Sequence, residues 1–353
     1  MHFSPLALTA FAAVAVAHPL EPRANALPPV VSDADTNTLQ LALYLEHLEE
    51  SLYSGGYSNF TDEQYTAEGF PAGFRENVGV IAQVSLFSSF SPTWYHICIW
   101  RFPGGHFPST GRLTSGSQHE TTHADTISNI LTAAGKTPVP RCSYKFPYDS
   151  PTTFVDLANQ ITSNGIGAYL GGAAFLRDNA PLLTAASAIL TVEARHDAYL
   201  RAGVKGSPFP TSFDTSVTSV FAYNIAQNFI VKCPQQLPLP ILPKLTLTSP
   251  PPSPNIAPVP SNTKLAFKFD PSTFFVKVDE SKPLYIGLIN SVTNVTYTEL
   301  TKTGNGEGTI PVPEGAAGAA FAVLTTFGPD AALSEDQLTE FGALAGPAEI
   351  ILS

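Results

Sequence analysis

Two short motifs in this 353-residue sequence place a carboxylate and an imidazole at the same spacing: Glu120-x-x-His123 and Glu193-x-x-His196. Residues three apart lie on one face of a helix, so within each motif the two side chains can approach the same ion. A four-helix bundle builds a di-iron or di-manganese site from two such helices and a single Glu from each of the others. The paired motifs therefore favour a di-metal carboxylate site.

A further carboxylate is available upstream, in the segment LEHLEESLY. Glu46 lies on the apolar face of a predicted helix, whereas Glu49, one turn later, is expected nearer the surface. Burying a carboxylate is costly unless it is paired or bound to metal, so Glu46 is a candidate ligand. In this interpretation Glu120 and Glu193 bridge or chelate, His123 and His196 are terminal ligands, and Glu46 closes the first-helix side.

Two alternatives to the di-metal site stay open at this point. His119-Glu120-Thr121-Thr122-His123 also fits the H-E-x-x-H pattern of zinc proteases, in which two His bind zinc and Glu is the general base. That pattern gives no role to the second motif, so the bundle is favoured, and His119 is then expected in solvent. The other alternative is a metal-free hydrogen-bonded network completed by Tyr53 or Tyr169.

Helical spacing of apolar residues predicts the elements that carry these motifs. The first helix spans residues 36–53, a second begins near Phe74, and helical spacing resumes at Gln118. Residues 152–177, 181–202 and 212–231 predict three more helices.

The second helix is interrupted by residues 84–118, which show no sustained period. Without them, Phe74, Val78 and Ile81 run on into Glu120 at helical spacing, as one amphipathic helix. We therefore hypothesise that residues 84–118 are a retained intron or another gene-model error. A genuine surface insertion is the alternative.

The cysteines are consistent with that hypothesis. The chain has three, and Cys98 lies within the interruption. Its removal leaves Cys142 and Cys233, which can pair. Their disulfide would tie the loop before the third helix to the end of the fifth.

The N-terminus predicts export. Residues 1–17 have an apolar core and end in Ala15-Val16-Ala17, a pattern typical of signal-peptide cleavage. Asn59 and Asn294 each begin an N-x-Thr glycosylation acceptor. We expect a secreted, extracellular protein, in which cysteines tend to pair.

Charge and hydropathy limit the partners. The net charge of -11 argues against nucleic acid and against an anionic membrane surface. No later stretch is long and apolar enough to span a bilayer. Association with a cell wall remains compatible with these properties, and the oligomeric state is left open.

The pattern changes in the last third of the chain. Residues 236–263 form a Pro-rich linker, and the period after it alternates instead of following a helix. About seven short strands within residues 264–353, among them 274–279, predict a small antiparallel β-sandwich.

Several motifs together resemble a known family. LEHLEESLYSGG, HETTHAD, CSYKFPYDSPTTFVDLANQ, GAYLGGAAFL, TAASAILTVEARH and FIVKCP, in this order, resemble the secreted ferritin-like domain proteins of fungi, linked to stress response and late sexual development. The resemblance covers residues 33–235 except 84–118. It implies a ferritin-like four-helix bundle with a fifth helix, followed here by the β-sandwich.

The resemblance also implies a metal site that holds iron or manganese, and zinc is chemically compatible with two imidazoles. By spacing, the third-helix carboxylate of such sites falls on Thr162, so this site has at most three Glu and two His. The alternative function is a non-enzymatic extracellular scaffold with a relic metal site. The sequence names no substrate and leaves open whether the protein is an enzyme.

Overall fold

A computed structural model describes residues 31–82, 119–249, 263–279, 281–292 and 294–352. The predicted signal peptide, residues 1–17, and the predicted interruption, residues 84–118, lie outside the described residues.

The first half of the described chain is helical, as predicted. The long helices α1, α5 and α6 and the shorter α4 pack around one core, with α7 against α5. Their bounds are α1 Asp33–Asn59, α2 Asp62–Ala67, α3 Phe74–Ile81, α4 His119–Ala133, α5 Pro151–Ala173, α6 Ala180–Gly203 and α7 Ser219–Gln227.

Local sequence explains where these helices begin. Ser32 and Ser150 cap α1 and α5 through reciprocal hydrogen bonds with the residue three positions later. Pro181 occupies the first turn of α6, where its missing N–H costs nothing. These residues fix where α1, α5 and α6 begin, and the apolar spacing of each helix decides which of its faces turns inward.

A disulfide ties the bundle's connecting segments together. Cys142 is bonded to Cys233, the pair that the sequence predicts. The strands that follow and precede these cysteines, β1 Ser143–Tyr144 and β2 Ile230–Lys232, pair antiparallel beside the bond. The loop before α5 is therefore fixed to the chain after α7.

The last part of the described chain forms two four-stranded antiparallel sheets, which confirms the predicted helix-then-β architecture. The strand orders are β10-β9-β5-β6 and β3-β4-β8-β7. The bounds are β3 Leu245–Ser249, β4 Lys264–Phe269, β5 Tyr285–Asn290, β6 Thr296–Glu299, β7 Thr301–Gly304, β8 Glu307–Pro311, β9 Gly318–Thr325 and β10 Ala343–Leu352.

Two details of this region differ from the sequence prediction. Strand β3 lies within residues 236–263, the predicted linker, and pairs with β4. The predicted strand at 274–279 is wrong, because no strand forms there. The segment does not join either sheet, and Phe275 and Val276 are therefore exposed.

The sheet β10-β9-β5-β6 is buried on both faces. Ile286, Leu288 and Leu324 pack into the sandwich core, whereas Phe321 and Val323 belong to the same core as the helices. Strands β9 and β10 therefore read as nearly continuous apolar runs without alternation. None of the described helices is long and apolar enough to cross a membrane.

Candidate metal centre

Three helices bring four candidate ligands to one buried point. Glu46 comes from α1, Glu120 and His123 from α4, and Glu193 from α6. One ligand atom of each lies within 4.8 Å of the others. The i,i+3 spacing within α4 puts both of its side chains on the inner face, as expected.

His123 lies at the centre of these carboxylates. Its Nδ1 is 3.3 Å from Glu46 Oε2, 3.6 Å from Glu120 Oε2 and 3.1 Å from Glu193 Oε1. A single ring nitrogen cannot hydrogen-bond well to three carboxylates, so the cluster contains more acceptors than donors.

The second predicted imidazole, His196, lies on the other side of the same carboxylates. Its Nδ1 is 3.2 Å from Glu120 Oε1 and 3.2 Å from Glu193 Oε2. Glu120 and Glu193 thus each contact both imidazoles. This is the arrangement expected of carboxylates that lie between two ligand groups.

His119 is not solvated, which corrects the prediction. It is half-buried, its ring stacks on that of His196, and its Nδ1 lies 2.9 Å from His196 Nε2. A ring nitrogen held in this way fixes the orientation of the neighbouring imidazole. His119 therefore supports His196 and is not in the four-residue cluster, which favours the bundle interpretation over the H-E-x-x-H protease pattern.

Glu49 is a further buried carboxylate beside the cluster, and the sequence reasoning missed it. The expectation that it lies near the surface is wrong, since only 3% of it is exposed. Burial raises the pKa of its carboxyl well above the usual range, and the nearby charges of Glu193, Glu120 and Glu46 raise it further. The signal was available, because Glu46 and Glu49 share the i,i+3 spacing of the two other motifs.

A glycine on α5 makes the space for this carboxylate. A Cβ at Gly165 would collide with Glu49 Oε1. The α5 position that faces the cluster here thus has no side chain, and α1 supplies the carboxylate in its place. Any larger residue at 165 would displace Glu49.

Two further α5 side chains, Thr162 and Tyr169, form hydrogen bonds with α1 residues near the cluster. Thr162, the position predicted for the third-helix carboxylate, is buried and its hydroxyl lies 2.7 Å from that of Tyr53. Tyr169 donates a hydrogen bond of 2.5 Å to Glu46 Oε1. Tyr53 and Tyr169 are thus close to the centre, as the network alternative expected, but they satisfy few of its acceptors.

The pKa values show how the cluster shares protons. Burial raises the pKa of Glu46 to about 8, although the hydrogen bond from His123 opposes this. Burial alone would lower the pKa of both imidazoles, but the surrounding carboxylates outweigh it and raise that of His123 to about 12 and that of His196 to about 10. Glu193 is buried too, yet the two imidazoles hold its pKa at about 2.

The donor set fits a metal ion. Glu120, which is fully buried, has no hydrogen bond to either carboxylate oxygen, and neither Glu46 Oε2 nor Glu49 Oε2 has one. Across the described part of the chain, the ion-pair partners of the cluster carboxylates are imidazoles and never Lys or Arg. Buried oxygens without partners are costly, and a cation would satisfy them. Carboxylates with imidazoles suit iron, manganese and zinc.

Comparison with known proteins adds a domain assignment. Residues 106–205 match the family model described as a ferritin-like domain. Protein rds1 of Schizosaccharomyces pombe is 25% identical over 313 residues, which cover 78% of this chain and 68% of the relative. The chain thus contains a ferritin-like domain and resembles a fungal protein along most of its length.

Proposed function

We propose that this ferritin-like protein binds two transition-metal ions, iron or manganese, in the centre of its helical bundle. One observation carries the proposal: four buried carboxylates and two imidazoles converge, and their charge is not balanced by Lys or Arg in the described residues. Zinc fits the same donors but has no redox chemistry.

The ligands divide into two halves. Glu46 and His123 would hold one ion, and His196 would hold the other, with Glu120 and Glu193 shared between them. Glu49 would complete the second half in place of the α5 carboxylate that such sites otherwise use. The count of four carboxylates and two imidazoles is then complete, despite Thr162.

The remaining residues position these ligands. His119 holds His196 through its outer nitrogen, and Tyr169 holds Glu46 through its hydroxyl. Glu46, Glu120 and Glu193 are almost fully buried, and low solvent exposure strengthens the charge interactions among them. A bound iron or manganese pair would supply Lewis-acid or redox chemistry toward oxygen or peroxide.

The setting that we propose is extracellular, with a role in fungal stress response or development. The disulfide between Cys142 and Cys233 supports an oxidising compartment. Asn59 and Asn294 are both exposed, which supports their use as glycosylation acceptors. The domain division proposed is 33–235 for the bundle, with β3 assigning residues 245–249 to the β-sandwich.

Metal analysis tests the proposal. Purified protein, loaded anaerobically with Fe(II) or Mn(II) and then desalted, is expected to retain two ions per chain. Glu120→Gln and His196→Ala should lose most of this metal. Glu50→Gln is the matched control, because Glu50 is buried on α1 but pairs with Arg141.

The opposite outcome supports the scaffold function. In that case no metal is retained by the wild-type protein at any loading condition, and Glu120→Gln behaves like the control. The tyrosine hydrogen bond to Glu46 and the imidazole contacts would then be the whole role of the cluster.

A further inference from the structure

A second feature of the bundle is a cavity of about 460 Å³ at one end of it. We call it the apolar cavity. It lies where α1 and α6 begin and where α4 and α5 end, and residues 235–239 close one side. The mouth is marked by exposed residues such as Asn37 and Phe175.

The lining of the apolar cavity is uncharged. None of the described residues that line it is Asp, Glu, Lys or Arg. Buried aliphatic side chains from α1, α4 and α6 form much of its walls, including Leu41, Ile127, Leu182 and Ile189. Because a buried charge needs a partner, such walls exclude a ligand that is charged at its inner end.

The inner end of the apolar cavity reaches the metal centre. Ile127 is one turn after His123 on α4, and Ile189 is one turn before Glu193 on α6. Tyr169 belongs to both features, since its ring lines the cavity and its hydroxyl donates to Glu46. Tyr169 is thus the residue that connects the two features.

We propose that the apolar cavity binds an uncharged, apolar organic molecule, with one end of it against Tyr169. A cavity of roughly 150 Å³ lined by Leu, Ile and Phe binds benzene, so this one has room for a considerably longer hydrocarbon skeleton. The volume is also within the usual range of small-molecule sites. Binding needs no metal, whereas presentation of the molecule to the centre rests on the proposed function.

A peptide segment is a poorer occupant than a small molecule. Each of its residues would bring a backbone N–H and C=O that need partners when buried. Polar side chains of the lining are in part already engaged: Gln40 bonds to the backbone of Thr137 and Val139. The hydroxyls of Thr36 and Thr38 donate to carbonyl oxygens four residues earlier. An apolar molecule has no such requirement.

Fluorescence titration tests the binding. N-phenyl-1-naphthylamine, a neutral apolar fluorophore, should bind the full-length protein saturably, at one molecule per chain. Ala186→Phe fills the cavity from α6 and should weaken binding at least about tenfold. Ala188→Phe, two residues away on the exposed side of the same helix, is the matched control and should bind like wild type.

A second filling variant separates occlusion from misfolding. Ala42→Phe adds the same bulk from α1, on the opposite wall. Both filling variants should unfold cooperatively with unchanged or higher Tm, because they occupy empty space. Non-saturable binding by wild type, or equal affinities for Ala186→Phe and Ala188→Phe, would overturn the proposal.

The link to the metal centre is tested apart from binding. Glu120→Gln should still bind the fluorophore, so a failure of the metal proposal leaves this one measurable. In Co(II)-loaded wild type, the fluorophore should shift the visible cobalt bands, and Tyr169→Phe should reduce that shift. A cobalt spectrum that ignores a bound fluorophore would show that the cavity and the centre are independent.

Discussion

Two buried carboxylates four residues apart on α6 have opposite surroundings. Asp197 accepts hydrogen bonds from Arg201 Nε at 2.7 Å, from Ser163 Oγ at 3.0 Å and from Asn159. Glu193, one turn earlier, has only imidazoles for ion-pair partners in the described chain. The first carboxylate is neutralised by a fixed cation, Arg201, whereas the second faces, among the described residues, only titratable imidazoles, which a metal ion could also bind under the proposed function.

The difference indicates how to separate structure from function among buried acids. A carboxylate that is fully hydrogen-bonded and faces Arg holds two elements together, here α5 and α6. A group of carboxylates with unpartnered oxygens is unstable by itself, and such groups are typical of ligand sites. The spacing on α6 does not reveal this, because both carboxylates lie on buried faces.

The largest effect is expected from removing the fixed cation. Arg201→Ala would leave Asp197 buried without its partner, and should lower the free energy of unfolding by about 3–5 kcal/mol. Urea denaturation measures the change. Arg177→Ala, which removes an exposed pair with Asp178, should cost less than about 1 kcal/mol. Equal losses would erase the distinction between the two carboxylates.

A smaller effect is expected from metal binding at the cluster that contains Glu193. At a free metal concentration about 100 times the Kd, each bound Mn(II) or Fe(II) ion should stabilise the folded protein by about 3 kcal/mol. Calorimetry with and without metal measures this gain. Glu193→Gln should abolish this gain. Asp197→Asn should keep it, although the metal-free Asp197→Asn variant should have a lower free energy of unfolding than metal-free wild type.

A further effect is expected at Glu49, a carboxylate of the proposed metal centre. Glu49→Gln removes one uncompensated carboxylate, so the metal-free protein should become more stable by about 1–2 kcal/mol. Metal analysis should fall from two ions per chain to one. Glu50→Gln on the same helix should leave the stoichiometry unchanged. If Glu49→Gln still holds two ions, the ligand set does not include this residue.

The smallest effect concerns Glu349 on β10, which lies close to Asp197 and Arg201. Burial raises the pKa of Glu349 well above its usual range, the charge of Asp197 raises it further, and Arg201 opposes both. The unfolded chain therefore loses this proton first, so the stability it contributes is full below about pH 4.3 and falls as pH rises toward the folded pKa.

Glu349→Gln removes that dependence. At pH 8 the variant should be more stable than wild type by about 1 kcal/mol, and the two should converge near pH 4. Denaturant titrations across this range measure the difference. A constant offset at every pH would assign the effect to packing instead of ionisation.

Much of the centre could be predicted from the sequence, because helical spacing is local. The two E-x-x-H motifs and Glu46 needed only the period of a helix. Glu49 has the same spacing from Glu46, but the spacing does not show that it is buried, because the space for its carboxylate depends on Gly165, a residue of another helix. Helix packing determines which α5 residue lies opposite Glu49, and the residue spacing within one helix does not predict how two helices pack.

The same distinction explains the C-terminal region. The alternating segments gave most strands, and the helix-then-β order was predicted from them. Strand β3 was hidden in a Pro-rich stretch, because its pairing with β4 is non-local. The segment 274–279 alternates but finds no sheet, so alternation alone is not sufficient.

The sheet that serves both cores has a practical consequence. Since Phe321 and Val323 complete the core under α5 and α7, a fragment that ends at residue 235 would expose an apolar surface that the sheet normally covers. Such a fragment should aggregate, and the intact polypeptide should unfold in one transition. A truncated protein that contains the bundle therefore needs the β-sandwich as well, either in the same chain or added as a second polypeptide.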